Sequence, residues 1–304
     1  MANRRINARI MTRRDTAANW ETRNPILEAG EFGYDTTNDI VKVGDGVTPW
    51  NMRKPLTADN SANALTWSMI SEISQSGRAQ EFFKIGDTKD IFVTRDEINM
   101  GQDDRVVVGG ETITLEVIGF NHDTLSEGGG TAGITFGMKN LFTAQMSMNI
   151  TMGTGTNWSV SQMRQWWLQP QILFRLLPVD LQNNIKLVNK STRTNSNTAT
   201  LNVTQDRLFL FSETEITGGF QNNGMLEGEQ YEYWRTIKDG TIPQDRLKML
   251  SNGSGAAVSW NLRSPHIDTP QSGGRPCFRS VGGSGNITWL LDGNRRGVCF
   301  GFCI

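Results

Sequence analysis

The chain has 304 residues, 37% of them hydrophobic and 20% charged, enough apolar surface for a core and enough length for two or three domains. Its 30 basic and 31 acidic residues leave a formal charge of -1, a balance that excludes a molecule drawn as a whole onto nucleic acid or acidic lipid. No apolar run nears the roughly 20 residues of a membrane span, and no signal-peptide core follows Met1-Ala2-Asn3-Arg4-Arg5. We therefore expect a protein made and kept in a cytoplasm, or released by lysis, without membrane insertion. Three cysteines, all late in the chain, and two histidines speak against a disulfide framework, a zinc centre and most hydrolases.

In chain order, residues 1 to about 20 carry Arg4, Arg5, Arg9, Arg13 and Arg14 with only Ile6, Ile10 and Met11 to bury. This segment is either an arm that docks on an acidic partner or a solvated or strand-paired terminus. Alternation over 30–35 and 39–43 predicts two short strands around a Thr36-Thr37-Asn38 turn, closed by Gly44-Asp45-Gly46. Two strands of that size cannot bury a core alone, so this segment predicts association with copies of itself or with neighbouring domains. Helical spacing from Asn60 to about Phe83 predicts a connector, capped by Thr66 or Ser68 and broken by Gly77. It packs against symmetry mates or against its own domain.

Farther along, 105–108 and 112–118 read as a hairpin around Gly109-Gly110. Ser159 or Ser161 opens a helix through Met163 to Leu168, and Pro178 starts a new turn within a helical stretch over 173–185. Strands are expected at 185–188, 207–211, 258–262, 277–281, 287–291 and 297–302, with polar loops at 191–202 and 218–229. The expected organisation is α+β and multidomain: 1–58, a connector over 59–80, and a head over 81–304.

Two sets of motifs carry resemblances. Arg13-Arg14-Asp15-Thr16, Trp20, Asn24-Pro25-Ile26-Leu27, Gly30-Glu31-Phe32-Gly33-Tyr34 and Val43-Gly44-Asp45-Gly46-Val47-Thr48-Pro49-Trp50-Asn51 resemble the N-terminal repeat of bacteriophage tail-fibre and appendage proteins. They are also similar to the intertwined β-prism of phage tropism determinants, which are trimeric receptor-binding proteins. This resemblance implies a β-prism-like homotrimer whose Arg4, Arg5, Arg9, Arg13 and Arg14 meet other virion proteins. Ile118-Gly119-Phe120-Asn121-His122-Asp123, Ile134-Thr135-Phe136-Gly137-Met138, Leu208-Phe209-Leu210-Phe211-Ser212-Glu213, Trp260-Asn261-Leu262-Arg263-Ser264-Pro265 and the C-terminal Gly297 to Ile304 resemble a domain of unassigned function found in surface and prophage proteins of Gram-positive bacteria. That domain is similar to the C-type-lectin-like fold of formylglycine-generating-enzyme relatives, in which the last stretch of chain displays ligand-contacting side chains.

On that basis residues 261–296 form the expected receptor-binding stretch, through Asn261, His266, Asp268, Gln271, Arg275, Arg279, Ser284, Asn286, Thr288, Trp289, Asp292, Asn294 and Arg295. Amide, guanidinium and aromatic groups together give adaptable hydrogen bonds and flat stacking area. Arg263 is assigned a structural role, satisfying buried carbonyls with its five donors, and Cys277, Cys299 and Cys303 are expected as buried free thiols. Neither the carboxylate pairs (Glu213 with Glu215, Asp123 with His122) nor any oxygen cluster has spacing that marks catalysis or calcium binding. We expect no enzyme activity, no cofactor or metal and no nucleic acid. The expected protein is a virion appendage, assembled in the host cytoplasm and released by lysis, that adheres to a bacterial surface glycan or protein. The alternatives are a purely structural fibre or baseplate component and, from another class, a glycan-active or oxidising enzyme.

Overall fold

In the computed structural model, residues 12–56, 62–101, 104–153, 155–194, 200–219, 225–235, 246–267 and 274–304 are described. The chain divides into two units, Met1–Ile73 and Ser74–Ile304, and is a mixed α+β protein of small sheets and short helices.

In the first unit, β1 (Arg13–Asp15) runs parallel to β2 (Phe32–Asp35), which pairs antiparallel with β3 (Ile40–Val43). Between β1 and β2, α1 (Ala17–Arg23) starts where the Thr16 hydroxyl caps Asn19 N–H and ends on Asn24 at φ 36, one residue before a proline. The Asp35 carboxylate accepts from Thr37 N (2.9 Å) and Asn38 Nδ2 (2.8 Å), which fixes the expected turn. Trp20 stacks on Trp50 at 3.9 Å over Leu27. Gly33 is required beneath them, since a Cβ there would lie 2.5 Å from the Trp50 ring.

The expected connector is two helices, α2 (Trp67–Gln75) and α3 (Ala79–Phe82), separated at Gly77, φ +74. Thr66 Oγ1 accepts from Met69 N at 3.3 Å, as a cap should.

In the second unit, β4 (Thr88–Val93) continues into β5 (Asp96–Gly101), and β6 (Asp104–Val108) returns into β7 (Glu111–Phe120). β4 pairs with β7 up to Val93 opposite Glu111, and β5 pairs with β6 from Asp96 opposite Val108, in one continuous register. The expected hairpin around Gly109-Gly110 is thereby corrected: its two segments do not pair with each other. The glycines instead form a bend midway along one long hairpin. They adopt φ +74 and +72, and a Cβ on Gly109 would meet Thr94 O at 2.1 Å.

Next come β8 (Ile134–Met138), a 3-10 turn (Trp158–Val160), a π-helical turn (Met163–Trp167), α4 (Leu173–Leu176) and α5 (Val179–Asn184), with Pro178 at its N-cap. β9 (Val188–Arg193) and β10 (Leu201–Asp206) pair with each other, so part of the expected 191–202 loop is strand. β11 (Phe209–Leu210), α6 (Glu213–Thr217), α7 (Glu232–Arg235), β12 (Trp260–Ile267), β13 (Pro276–Val281), β14 (Ile287–Leu291) and β15 (Phe300–Cys303) complete the chain. The central sheet has the order β11-β15-β8-β7-β4, and a second sheet has the order β12-β13-β14. Phe136, Met138, Phe142, Phe300 and Phe302 are buried from solvent. Among the described residues no helix is long and apolar enough to cross a membrane.

Candidate functional site

The β13–β14 hairpin carries most of the stretch that the sequence marks for binding. Arg279 stands opposite Trp289 and Ser280 opposite Thr288, and Gly282 N donates to Asn286 O at 2.8 Å to close the turn. β13 is inside along most of its length, whereas β14 is half-buried. Trp289, 40% exposed, packs against His266 at 4.8 Å between ring centres. Ser284 and Asn286 at the turn, Arg275 before β13 and Arg295 after β14 are exposed, while Thr288 and Asn294 are half-buried.

Asn261, Arg279 and Asp292 were expected at this face, and the structure buries all three. Asn261 Nδ2 donates to Met146 O at 3.0 Å, and Arg279 Nε lies 3.1 Å from Glu213 Oε2. The Asp292 carboxylate accepts from Asn149 Nδ2 (3.0 Å) and Gly153 N (2.8 Å). Polar groups taken out of water need such internal partners, and residue type alone does not reveal which way a side chain faces. His266 is only 9% exposed. Asp268, Gln271, Arg4, Arg5 and Arg9 lie outside the described residues. Arg13 and Arg14 are exposed on β1.

Sequence reasoning also missed neighbours of this face. Asp104, on β6 of the long hairpin, pairs with Arg295. The segment pinned by Asp292 exposes Ile150 and Met152, and Met152 lies so close to Gly293 that a Cβ there would be 2.9 Å from its own. Nothing in the local pattern marks Asp104 or Ile150, because the contacts that bring them here come from Arg295 and Asp292, far along the chain.

Within the same unit, four charged side chains from four segments meet out of solvent. Lys190 Nζ of β9 lies 2.6 Å from Asp123 Oδ1 and 2.5 Å from Glu215 Oε1 of α6. Arg263 of β12 reaches Glu215 with Nη1 (2.5 Å) and Nη2 (2.9 Å) and also donates to Thr192 Oγ1, Leu210 O, Ser191 O and Glu227 O. The structural role expected for Arg263 is therefore what the structure displays. Tyr231 O–H donates to both Asp123 oxygens, at 3.0 and 2.9 Å. Burial alone would raise Asp123 and Glu215, but Lys190 beside the first and Arg263 beside the second hold both carboxyls below their usual range. Burial would lower Lys190, and its two carboxylate neighbours reverse that and raise it.

The carboxylates weighed for acid/base chemistry are thus engaged: Glu213 with Arg279, Glu215 with Arg263 and Lys190, Asp123 with Lys190. His122 stacks on Tyr231 at 3.9 Å and meets Glu229 O at 3.2 Å. Cys277, Cys299 and Cys303 are free and buried, and burial pushes Cys299 up to about 11. Among the described residues no three of His, Cys, Asp or Glu converge as metal ligands. The arrangement ties β9, α6, β12 and the end of β7 together, and β12 is the strand on which β13 pairs.

A family model described as "Domain of unknown function (DUF6273)" matches residues 135–303. A second, described as "Major tropism determinant N-terminal domain", matches residues 10–48, so the chain carries an N-terminus like that of phage tropism proteins. No curated protein and no solved structure matches.

Proposed function

The chain belongs to the family described as a domain of unknown function (DUF6273), its match spanning 135–303, and from that premise we propose that it is a phage virion appendage whose family domain is a host-adhesion head. The observation that carries this reading is the joining, in one chain, of a tropism-type N-terminus to a domain that holds a half-exposed Trp289 on a hairpin braced by buried ion pairs. Recognition sites commonly sit on loops and edges of such rigid scaffolds.

In this reading the receptor, a bacterial surface glycan or protein, meets Trp289, Ser284, Asn286, Arg275 and Arg295, with Asp104 beside them. The aromatic ring supplies contact area at low entropic cost, and the amide, hydroxyl and guanidinium groups supply hydrogen bonds. No bond of the receptor is broken. The N-terminal unit, with its core of Trp20, Leu27 and Trp50, exposes Ile26, Phe32, Val47 and Leu56. Such apolar surface on so small a unit supports assembly into a homotrimer seated on other virion proteins. Trimers on a virion multiply weak contacts, by about 10²–10⁴-fold where geometry lets several heads engage.

The test is adsorption. Purified full-length protein, added to host cells ahead of virions, reduces virion adsorption, and the Ser284→Ala/Asn286→Ala/Trp289→Ala variant at equal folded concentration does not. If the native protein neither binds cells nor competes, the adhesion reading fails and a structural appendage takes its place.

A further inference from the structure

Lys42, on β3 of the N-terminal unit, has no exposed surface. Its Nζ donates to Trp50 O at 2.8 Å and lies 4.6 Å from the centre of the Trp50 ring, which stacks on Trp20. An ammonium brings three N–H donors, and among the described residues this carbonyl is the one acceptor bonded to them. Three carboxylates act on the amine from three elements: Glu72 of α2, Asp35 of β2 and Glu21 of α1. None forms an ion pair with it among the described residues. Glu72 accepts from Asn51 Nδ2 at 3.0 Å, Asp35 is committed to its turn, and Glu21 is exposed. A cation so placed has lost its water without gaining a counter-ion at contact, a situation that favours the neutral amine.

We propose that Lys42 is a proton-operated latch of the N-terminal unit: losing a proton tightens the packing around the Trp20–Trp50 stack, and gaining one loosens it. The sign follows from linkage. Burial, opposed by Glu72, Asp35 and Glu21, carries the amine from 10.5 down to about 7. The unfolded chain keeps its proton up to the ordinary lysine value, so across the interval between the two the unfolded state binds more protons and stability rises with pH. Below the folded value both states are protonated and that gain is absent. Imidazole plays no part within this unit, because the two histidines are His122 and His266. The unit that would anchor the protein to a virion thereby senses the pH of the medium near neutrality, whether or not the head is an adhesin.

The experiment is thermal unfolding of the full chain and of its Lys42→Met variant at about pH 6 and about pH 9, followed by near-UV circular dichroism of the stacked tryptophans. The expected result is a transition that rises by several degrees with pH in the native chain and rises clearly less in Lys42→Met, where the remaining rise is that of Lys89, a lysine of the second unit that burial lowers to about 8. A level transition in the native chain, or an undiminished rise in the variant, overturns the proposal. Should the variant fail to fold, the native protein labelled with ¹³C at lysine Cε decides: a Cε resonance that titrates near neutrality supports the latch, and an amine still protonated at about pH 9 contradicts it.

Discussion

Lys42 of the first unit and Lys190 of the second, both buried, meet opposite fates. Lys42 and Lys190 are both withdrawn from solvent, and burial pulls both amines down. Lys190 has carboxylate oxygens at 2.6 and 2.5 Å and is raised above its ordinary value, whereas Lys42 has a carbonyl at 2.8 Å and falls to about 7. Counter-charge at contact, more than burial, decides whether an interior amine is a fixed cation or a titrating one. Around Lys190 the head places a balanced set of four charges that pins four segments, while Lys42 in the first unit meets a carbonyl and no carboxylate at contact among the described residues.

The sharpest way to break this comparison is to replace each lysine with methionine and measure denaturant unfolding near neutral pH. Lys190→Met leaves Asp123 and Glu215 short of their shared cation and should cost the head about 3–5 kcal/mol, while Lys42→Met should leave the first unit unchanged or more stable. Equal losses would mean that the two environments do not differ. Packing comes next: a Cβ at Gly33 would lie 2.5 Å from Trp50, and one at Gly44 2.2 Å from Glu28 O. Gly33→Ala or Gly44→Ala should therefore cost the first unit about 1–3 kcal/mol, read as a lowered transition, with the head transition unmoved.

A smaller effect is expected at α6, where Ser212 and Glu215 form a capping box. Ser212→Ala should destabilise the head by about 1 kcal/mol. Smallest is Arg105→Ala on the long hairpin, which removes an exposed pair with Glu97 at 2.6 Å and should change stability by less than about 1 kcal/mol. The pH profiles add a further contrast. Stability from the depressed Asp123 is present above its unfolded value of 3.8 and lost as pH falls through the folded one. Stability from the raised Lys190 is present below 10.5 and lost as pH climbs past it. Neither of these two groups tilts the head in the neutral range in which Lys42 makes the first unit climb; Lys89, lowered by burial to about 8, adds a rise to the head at more alkaline pH.

Much of this was legible in residue order. The β2–β3 turn, the break at Gly77, Pro178 at a helix start, β14 over 287–291 and the buried thiols follow from local chemistry. Arg263 was readable as an interior donor because a guanidinium has five donors, enough to satisfy several buried carbonyls. What escaped was long-range. Gly109-Gly110 has the composition of a hairpin tip, and only the pairing of Val93 with Glu111 and of Asp96 with Val108 makes it a bend. Asn261, Arg279 and Asp292 look like contact residues, and their inward direction is set by Met146, Glu213 and Asn149, each far away in sequence.

In the β13–β14 hairpin the buried strand β13 carries the brace and the edge strand β14 carries the exposed Trp289, and one paired measurement tests that division: host-cell binding and thermal midpoint of the full chain carrying Trp289→Ala or Arg279→Ala. Trp289→Ala should lose most cell binding with the midpoint preserved, whereas Arg279→Ala, which takes a cationic neighbour from buried Glu213, should lower the head's midpoint. Undiminished binding by a fully folded Trp289→Ala protein would contradict the assignment of this face to the host.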